Sequence, residues 1–309
     1  MNYEQLYNSI QAYAENTESL FVANIPVFVQ EAEDRIYNSV QIPALRKNVT
    51  GTLTASNPYV SLPDDWLSNF SIAVISNYGT STASYTYLLN KDVNFIREAY
   101  PNPTKTGLPR YYALFGSQYS NVNEMALIVG PTPDSAYTVE MHYYYYPPTI
   151  VQGQITAFGA ITPGSAYNNG VYQNVPLTGG SGSGAYADIV VAGGIVTSVS
   201  IKFGGNFYVV GDVLSAAAST IGGSGSGFSI PVAVISNSTG TSWLGDNYDP
   251  VLFYGAMREA MLFMKGEQDL VAYYENKYQE ALAQLNRLGT GLERGDAYRD
   301  GQAKIKVNP

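Results

Sequence analysis

The sequence contains no cysteine, which excludes a disulfide framework, a thiolate nucleophile and a cysteine-ligated metal site. Histidine occurs once, at His142, so histidine alone builds no metal site either. Charge is scarce: Asp, Glu, Lys and Arg make up 13% of the 309 residues, about half of the usual share. The formal net charge is −9, which argues against tight binding of nucleic acid through phosphate neutralisation. It does not argue against lining a path along which DNA slides, where stickiness is a fault. There is no run of about 18 apolar residues, so no membrane span is expected. The opening Met-Asn-Tyr-Glu-Gln lacks the basic and apolar regions of a signal peptide. These features predict a protein made and used in a cytoplasm.

The missing charge is replaced by Ser, Asn, Thr, Gly and 27 tyrosines. A polar but uncharged surface suits a part that is buried in an assembly, because burying a tyrosine costs far less than burying an unpaired ion. A tyrosine-rich strand domain by itself would have the same composition.

Helical periodicity opens the chain, with Tyr3, Leu6, Tyr7, Ile10 and Tyr13 at three- and four-residue steps behind an Asn2 cap. A second helix is expected from Asn24, with Pro26 in its first turn, Val29, Ala32, Ile36 and Val40 on one face, and Pro43 as its end. Strands are then expected at Leu45–Leu53, Tyr59–Leu62, Phe70–Ile75, Tyr85–Leu89, Arg110–Phe115, Glu124–Val129 and Tyr137–Tyr146, with Asp92 capping a short helix. Gly130–Ser135 reads as a turn that joins the last two strands into a hairpin.

Composition changes at Gly153. Between Gly153 and Ser236 only Asp188, Lys202 and Asp212 carry charge, and 17 of the 30 glycines lie there. Strands at Val171–Leu177, Ala185–Val191, Ile195–Phe203, Val213–Ala217 and Phe228–Ile235 predict a small all-β domain. The phrase GGSGSG occurs twice, at Gly179–Gly184 and at Gly222–Gly227. A phosphate-binding loop needs a following Lys-Ser/Thr and a helix, and here both copies run into strand-like sequence. The two phrases therefore read as related turns. Helix returns at Asp249–Pro250, a cap followed by a first-turn proline, and again from Gly266 to Leu288, where Gly289 is the expected stop.

The layout predicts an α+β chain: a four-helix bundle from N- and C-terminal helix pairs, a central antiparallel β domain and an inserted small all-β domain. The expected divisions are residues 1–43 for the N-terminal helices, 44–150 for the β domain, 151–238 for the inserted domain, 239–288 for the C-terminal helices and 289–309 for an extended docking tail.

Candidate chemistry is sparse. His142 lies on an expected strand, and Asp64 and Asp65 are adjacent on a turn, where neighbouring side chains diverge. Asp188 and Asp212 are too few carboxylates for an evident calcium site. Gly180-Ser181-Gly182-Ser183-Gly184 has the letters of a nucleophile elbow without its strand–turn–helix setting. Neither an enzyme, a cofactor nor a metal site is expected.

The order of Phe28-Val29-Gln30-Glu31-Ala32-Glu33-Asp34-Arg35-Ile36, Leu62-Pro63-Asp64-Asp65-Trp66, Gly130-Pro131-Thr132-Pro133-Asp134-Ser135, Tyr143–Pro148 and Trp243–Pro250 resembles the adaptor, or head-to-tail connector, proteins of tailed bacteriophages. The resemblance covers roughly residues 1–150 and 240–288, and none of its motifs is catalytic. The Gly153–Ser236 block is similar to a glycine-rich β module of phage structural proteins, and adaptors usually lack it. The resemblance implies a virion protein of the neck, made in the host cytoplasm, forming a homo-oligomeric ring, usually of twelve copies, below the portal protein. It implies a tail nozzle protein as the next partner, a channel through which DNA passes without specific binding, and a C-terminal segment that docks on the portal. Here that segment offers Arg294, Tyr298, Arg299, Lys304 and Lys306. The inserted module would face outward and support tail fibres. Two other readings stay open: a receptor- or glycan-binding tail protein with a tyrosine-rich β surface, and a small hydrolase with an unrecognised site.

Overall fold

Asn2 caps helix α1 (Tyr3–Ala14): its side chain accepts from the Gln5 backbone N–H while Gln5 returns the bond, satisfying two of the amides that a helix start leaves open. The computed structural model describes residues 1–117 and 125–293. Helix α2 (Ser19–Ser39) begins five residues before the expected Asn24. Pro26 lies inside it, and the Asn24 amide bonds back to the Leu20 carbonyl rather than capping. The early turn is held by packing: Phe21 and Ile25 are buried, and Phe21 meets the rings of Phe28 and Phe263. Burial of two such side chains, about 1.5–3 kcal/mol each, offsets the bond that the proline removes.

The chain divides into two compact units, Met1–Val40 with the chain from Pro148 onward, and Gln41–Pro147. The second unit contains β1 (Arg46–Thr52), β2 (Tyr59–Ser61), β3 (Trp66–Ser76), β4 (Ser84–Tyr87), β5 (Leu89–Asn90), α3 (Val93–Ala99), β6 (Tyr111–Ser117), β7 (Met125–Gly130) and β8 (Thr138–Tyr145). They form two four-stranded sheets, β1-β8-β3-β4 and β2-β7-β6-β5, antiparallel except for the β5–β6 pair. Ile72, Val74, Val139, Met141 and Tyr143 of the first sheet share one core with Tyr112, Leu127 and Val129 of the second, so the unit is a sandwich. Helix α3, capped by Asp92 as expected, covers the second sheet's other face with Ile96 against Ala113 and Ile128.

Two expectations fail in this unit. β7 and β8 do not form a hairpin, because β7 pairs with β2 and β6 while β8 pairs with β1 and β3. Pro131 and Pro133 remove two ladder donors from the connection, and the chain uses it to cross between sheets. The single strand expected at Tyr85–Leu89 is split at Leu88, which is buried in the sandwich core while β4 and β5 join different sheets.

The first unit contains the glycine-rich module and the remaining helices. Every strand expected in the module is present: β11 (Gly170–Pro176), β12 (Ser183–Ala192), β13 (Ile195–Asn206), β14 (Val213–Leu214) and β15 (Ser226–Ile235), preceded by the unforeseen β9 (Ile155–Phe158) and β10 (Thr162–Ser165). Their order is β11-β12-β13 in one sheet and β10-β15-β14 in the other, with β9 also on β15. Ala187, Ile189 and Val191 of β12 and Phe228, Ile230 and Val232 of β15 fill a separate core. The ends of the module meet, since Gly153 N–H donates to Asn237 O at 2.7 Å and Ser236 N–H to Gln154 O at 2.9 Å.

Ser242 caps a short α4 (Trp243–Asn247), followed by α5 (Asp249–Phe263) and α6 (Gln268–Glu293). Asp249 is the first residue of α5 rather than its cap. α5 packs on α1, α2 and α6. Gly255 sits where a Cβ would approach the Ala32 Cβ at 3.0 Å and the Tyr278 ring at 3.3 Å, so a side chain there would force α5 away from α2 and α6. α6 passes through Gly289, where a stop was expected; one glycine weakens a helix by about 1 kcal/mol and does not end it.

Candidate interaction surfaces

Of the carboxylates with possible chemical roles, Asp65, Asp188 and Asp212 hold structure. Asp65 accepts from the Tyr143 hydroxyl at 2.9 Å and from the Lys47 ammonium, fastening the Pro63–Trp66 turn to β1 and β8. Burial pushes the Asp65 carboxyl up, but these bonds outweigh it and hold it below its ordinary value. Burial and the neighbouring Asp65 push Tyr143 up to about 12. Asp64 is exposed and does not join the cluster. His142 stands 3.1 Å from Glu140 on the same face of β8. Asp188 accepts from the Asn174 amide at 2.9 Å, 14 residues earlier in the chain. Among the described residues no three His, Asp or Glu side chains converge on a possible metal position.

Asp212 explains the first GGSGSG turn. Its Oδ2 accepts from Ser181 N at 3.0 Å, Ser181 Oγ at 2.7 Å and Val209 N at 3.0 Å. Burial raises this carboxyl, and the bonds from Val209 and Ser181 prevail and lower it. Gly179 and Gly180 have φ of +108° and +72°, and a Cβ at Gly180 would strike the Asp212 side chain at 2.9 Å. Both GGSGSG phrases run directly into strands, β12 and β15. With strands following them, the phrases lead to no helix N-terminus that could receive an anion.

The surfaces that remain are aromatic and carry few charges. On the outer face of the β1-β8-β3-β4 sheet, the Arg46 guanidinium lies 3.8 Å from the Phe70 ring centre and 5.0 Å from that of Tyr144, with a 2.7 Å bond to the Tyr144 hydroxyl. Across the same face, edge strand β4 presents Tyr85 and Tyr87, in register with Ile75 and Ala73. Phe70, Tyr85 and Tyr87 are each more than half exposed. In the first unit, a groove of about 770 Å³ runs between α2 and the module, lined by Leu20, Val27, Tyr186, Lys202 and Phe203 among others. Composition foretold a tyrosine-rich surface, but which tyrosines stay exposed depends on strand register and could not be read from the sequence.

The helices are joined by ion pairs. Glu259 of α5 takes Arg35 of α2 and Arg258, each at 2.6 Å, and Arg258 also reaches Glu275 of α6. No described helix is long and apolar enough to cross a membrane. Arg294, Tyr298, Arg299, Lys304 and Lys306 lie outside the described residues.

The sandwich follows two helices, carries Leu-Pro-Asp-Asp-Trp between β2 and β3, and is left through Tyr-Tyr-Tyr-Tyr-Pro-Pro. The profile of the SU10 adaptor protein family matches residues 1–171, more than half of the chain. The chain belongs to that family. It is thus a structural adaptor of a bacteriophage and a component of the virion. The match spans α1, α2, the whole sandwich and strands β9 and β10 of the module, and it stops before the GGSGSG phrases. No curated protein matches the adaptor.

Proposed function

We propose that this adaptor is the head-to-tail connector of its virion, a ring of identical copies, expected to be twelve, seated below the portal protein and above the tail nozzle protein. The family match is the observation that carries the reading. The surface supports it: exposed aromatic side chains on a sheet face of few charges suit permanent subunit contacts, in which each charged group would have to be desolvated. The net charge of −9 suits a conduit through which DNA moves without sticking. α6 carries the chain towards the segment containing Arg294, Tyr298, Arg299, Lys304 and Lys306, which this reading assigns to portal docking. The glycine-rich module, most of which lies beyond the family match, is assigned to the ring periphery, where it would hold tail fibres.

The test is a cryo-EM reconstruction of the neck of the intact particle. The expected map has a ring of this chain between portal and tail, with the C-terminal segment against the portal. Density for the chain only at the distal tail or in fibres would overturn the reading and favour a receptor- or glycan-binding protein.

A further inference from the structure

The two GGSGSG turns belong to a larger correspondence. About fifteen residues before each phrase stands a Gly-x-x-Tyr turn, Gly164–Tyr167 and Gly205–Tyr208. The backbones agree: Gly164 and Gly205 have φ of +65° and +61°, and Ala166 and Phe207 have +62° and +59°. The contacts agree as well, and they are exchanged. The Tyr167 ring fills the space above Gly225, where a Cβ would lie 2.4 Å from it, and the Tyr208 ring does the same above Gly182 at 2.5 Å. The Tyr167 hydroxyl accepts from the N–H of Phe228, the residue that follows the second phrase, and the Tyr208 ring meets the amide of Ala185, the residue that follows the first, beside Gly205. Strand pairing repeats the pattern: β11 with β12 and β14 with β15 inside each half, β12 with β13 and β15 with β10 between halves.

The halves differ at the turn itself. In the first, Ser165 and Ala166 are exposed. In the second, Asn206 is buried and donates to the Tyr3 hydroxyl of α1 at 3.1 Å, and the Phe207 ring packs on Tyr3 and Tyr7 at 5.2 and 5.3 Å. A bulky residue in the left-handed region is disfavoured, and the first half builds the same turn with alanine. The turn therefore does not need the ring. We infer that the module is an internal duplication of one turn-and-strand unit, interlocked through its two tyrosines, and that the second copy's turn has become the mount that fixes the module to helix α1.

The test uses the full-length chain and hydrogen exchange read segment by segment. One variant, Asn206→Ser with Phe207→Ala, writes the first copy's residues into the second. Another, Phe207→Gly, relieves the backbone and removes only the ring. In both, amides of Tyr3–Ala14 are expected to exchange about tenfold faster or more, while β12 and β15 keep their protection. The change Ala166→Gly in the first copy is expected to leave α1 as it was. Unchanged exchange in α1 for the first two variants would overturn the mount. So would loss of protection in β12 and β15 together with α1, because the turn would then belong to the module's own folding.

Discussion

Glu33 is buried on α2 and receives the Thr149 hydroxyl at 2.6 Å and the Ile150 amide at 2.9 Å, so it ties the helix to the segment that leads into the module. Burial pushes its carboxyl from an ordinary 4.5 up to about 7, and the two hydrogen bonds only partly offset this. An acid with a raised value in the folded state binds protons more tightly when folded. Its ionisation therefore removes stability as pH rises from about 4.5 to about 7. That gap corresponds to roughly 3 kcal/mol at most. A Glu33→Gln variant keeps an acceptor for Ile150 and a group that can bond Thr149, without a charge to desolvate. It should melt close to the wild type at pH 5 and several degrees above it at pH 8. Melting curves for both proteins across that range check this, and parallel pH profiles would show that Glu33 is not the titrating group.

At the scale of elements, glycine in the module is required by neighbours more than by turns. Gly182→Ala and Gly225→Ala each push a methyl into a tyrosine ring and a backbone carbonyl, Asn206 O at 2.4 Å and Ser165 O at 2.7 Å. Overpacking of this kind costs about 1–3 kcal/mol, and the matching geometry predicts similar losses at the two sites. Gly193→Ala, at a hairpin position with open space around it and φ of +63°, should cost less, about 1 kcal/mol. Urea unfolding of the three variants compares these, and a Gly193 effect as large as the other two would count against the packing argument. The same elements show what could be read in advance. Val, Ile and Ala runs bounded by glycine marked five module strands, because a two-residue period with turn punctuation is a local signal. Thr162–Ser165 was missed because Pro163 and Gly164 break that signal, and it forms a strand through pairing with Ser226–Ser229. The start of α2 was misplaced because Phe21 is held by a ring more than 200 residues away. The duplication is faint in the sequence because, beyond the GGSGSG letters, each turn keeps only its Gly and Tyr, while Ser165-Ala166 and Asn206-Phe207 have diverged.

For the whole molecule, the module can be asked to leave. Its ends are hydrogen-bonded to each other at Gly153–Asn237 and Gln154–Ser236, so a short turn can replace Ile155–Ile235 without stretching the chain. The packing of α5 on α2 and α6, with the Arg35–Glu259–Arg258–Glu275 chain of ion pairs, does not pass through the module. Tyr3 and Tyr7 do lose the Phe207 ring, and Tyr3 also loses Asn206. The shortened chain should therefore fold with a lower melting temperature. In particles carrying the shortened chain, a peripheral module predicts heads joined to tails with DNA retained and ejected, and fibres absent. Particles that fail to join, or that join and cannot eject, would place the module in the connection or the channel. Because the shortened protein's folding is measured separately, that outcome would not be confused with a chain that has simply unfolded.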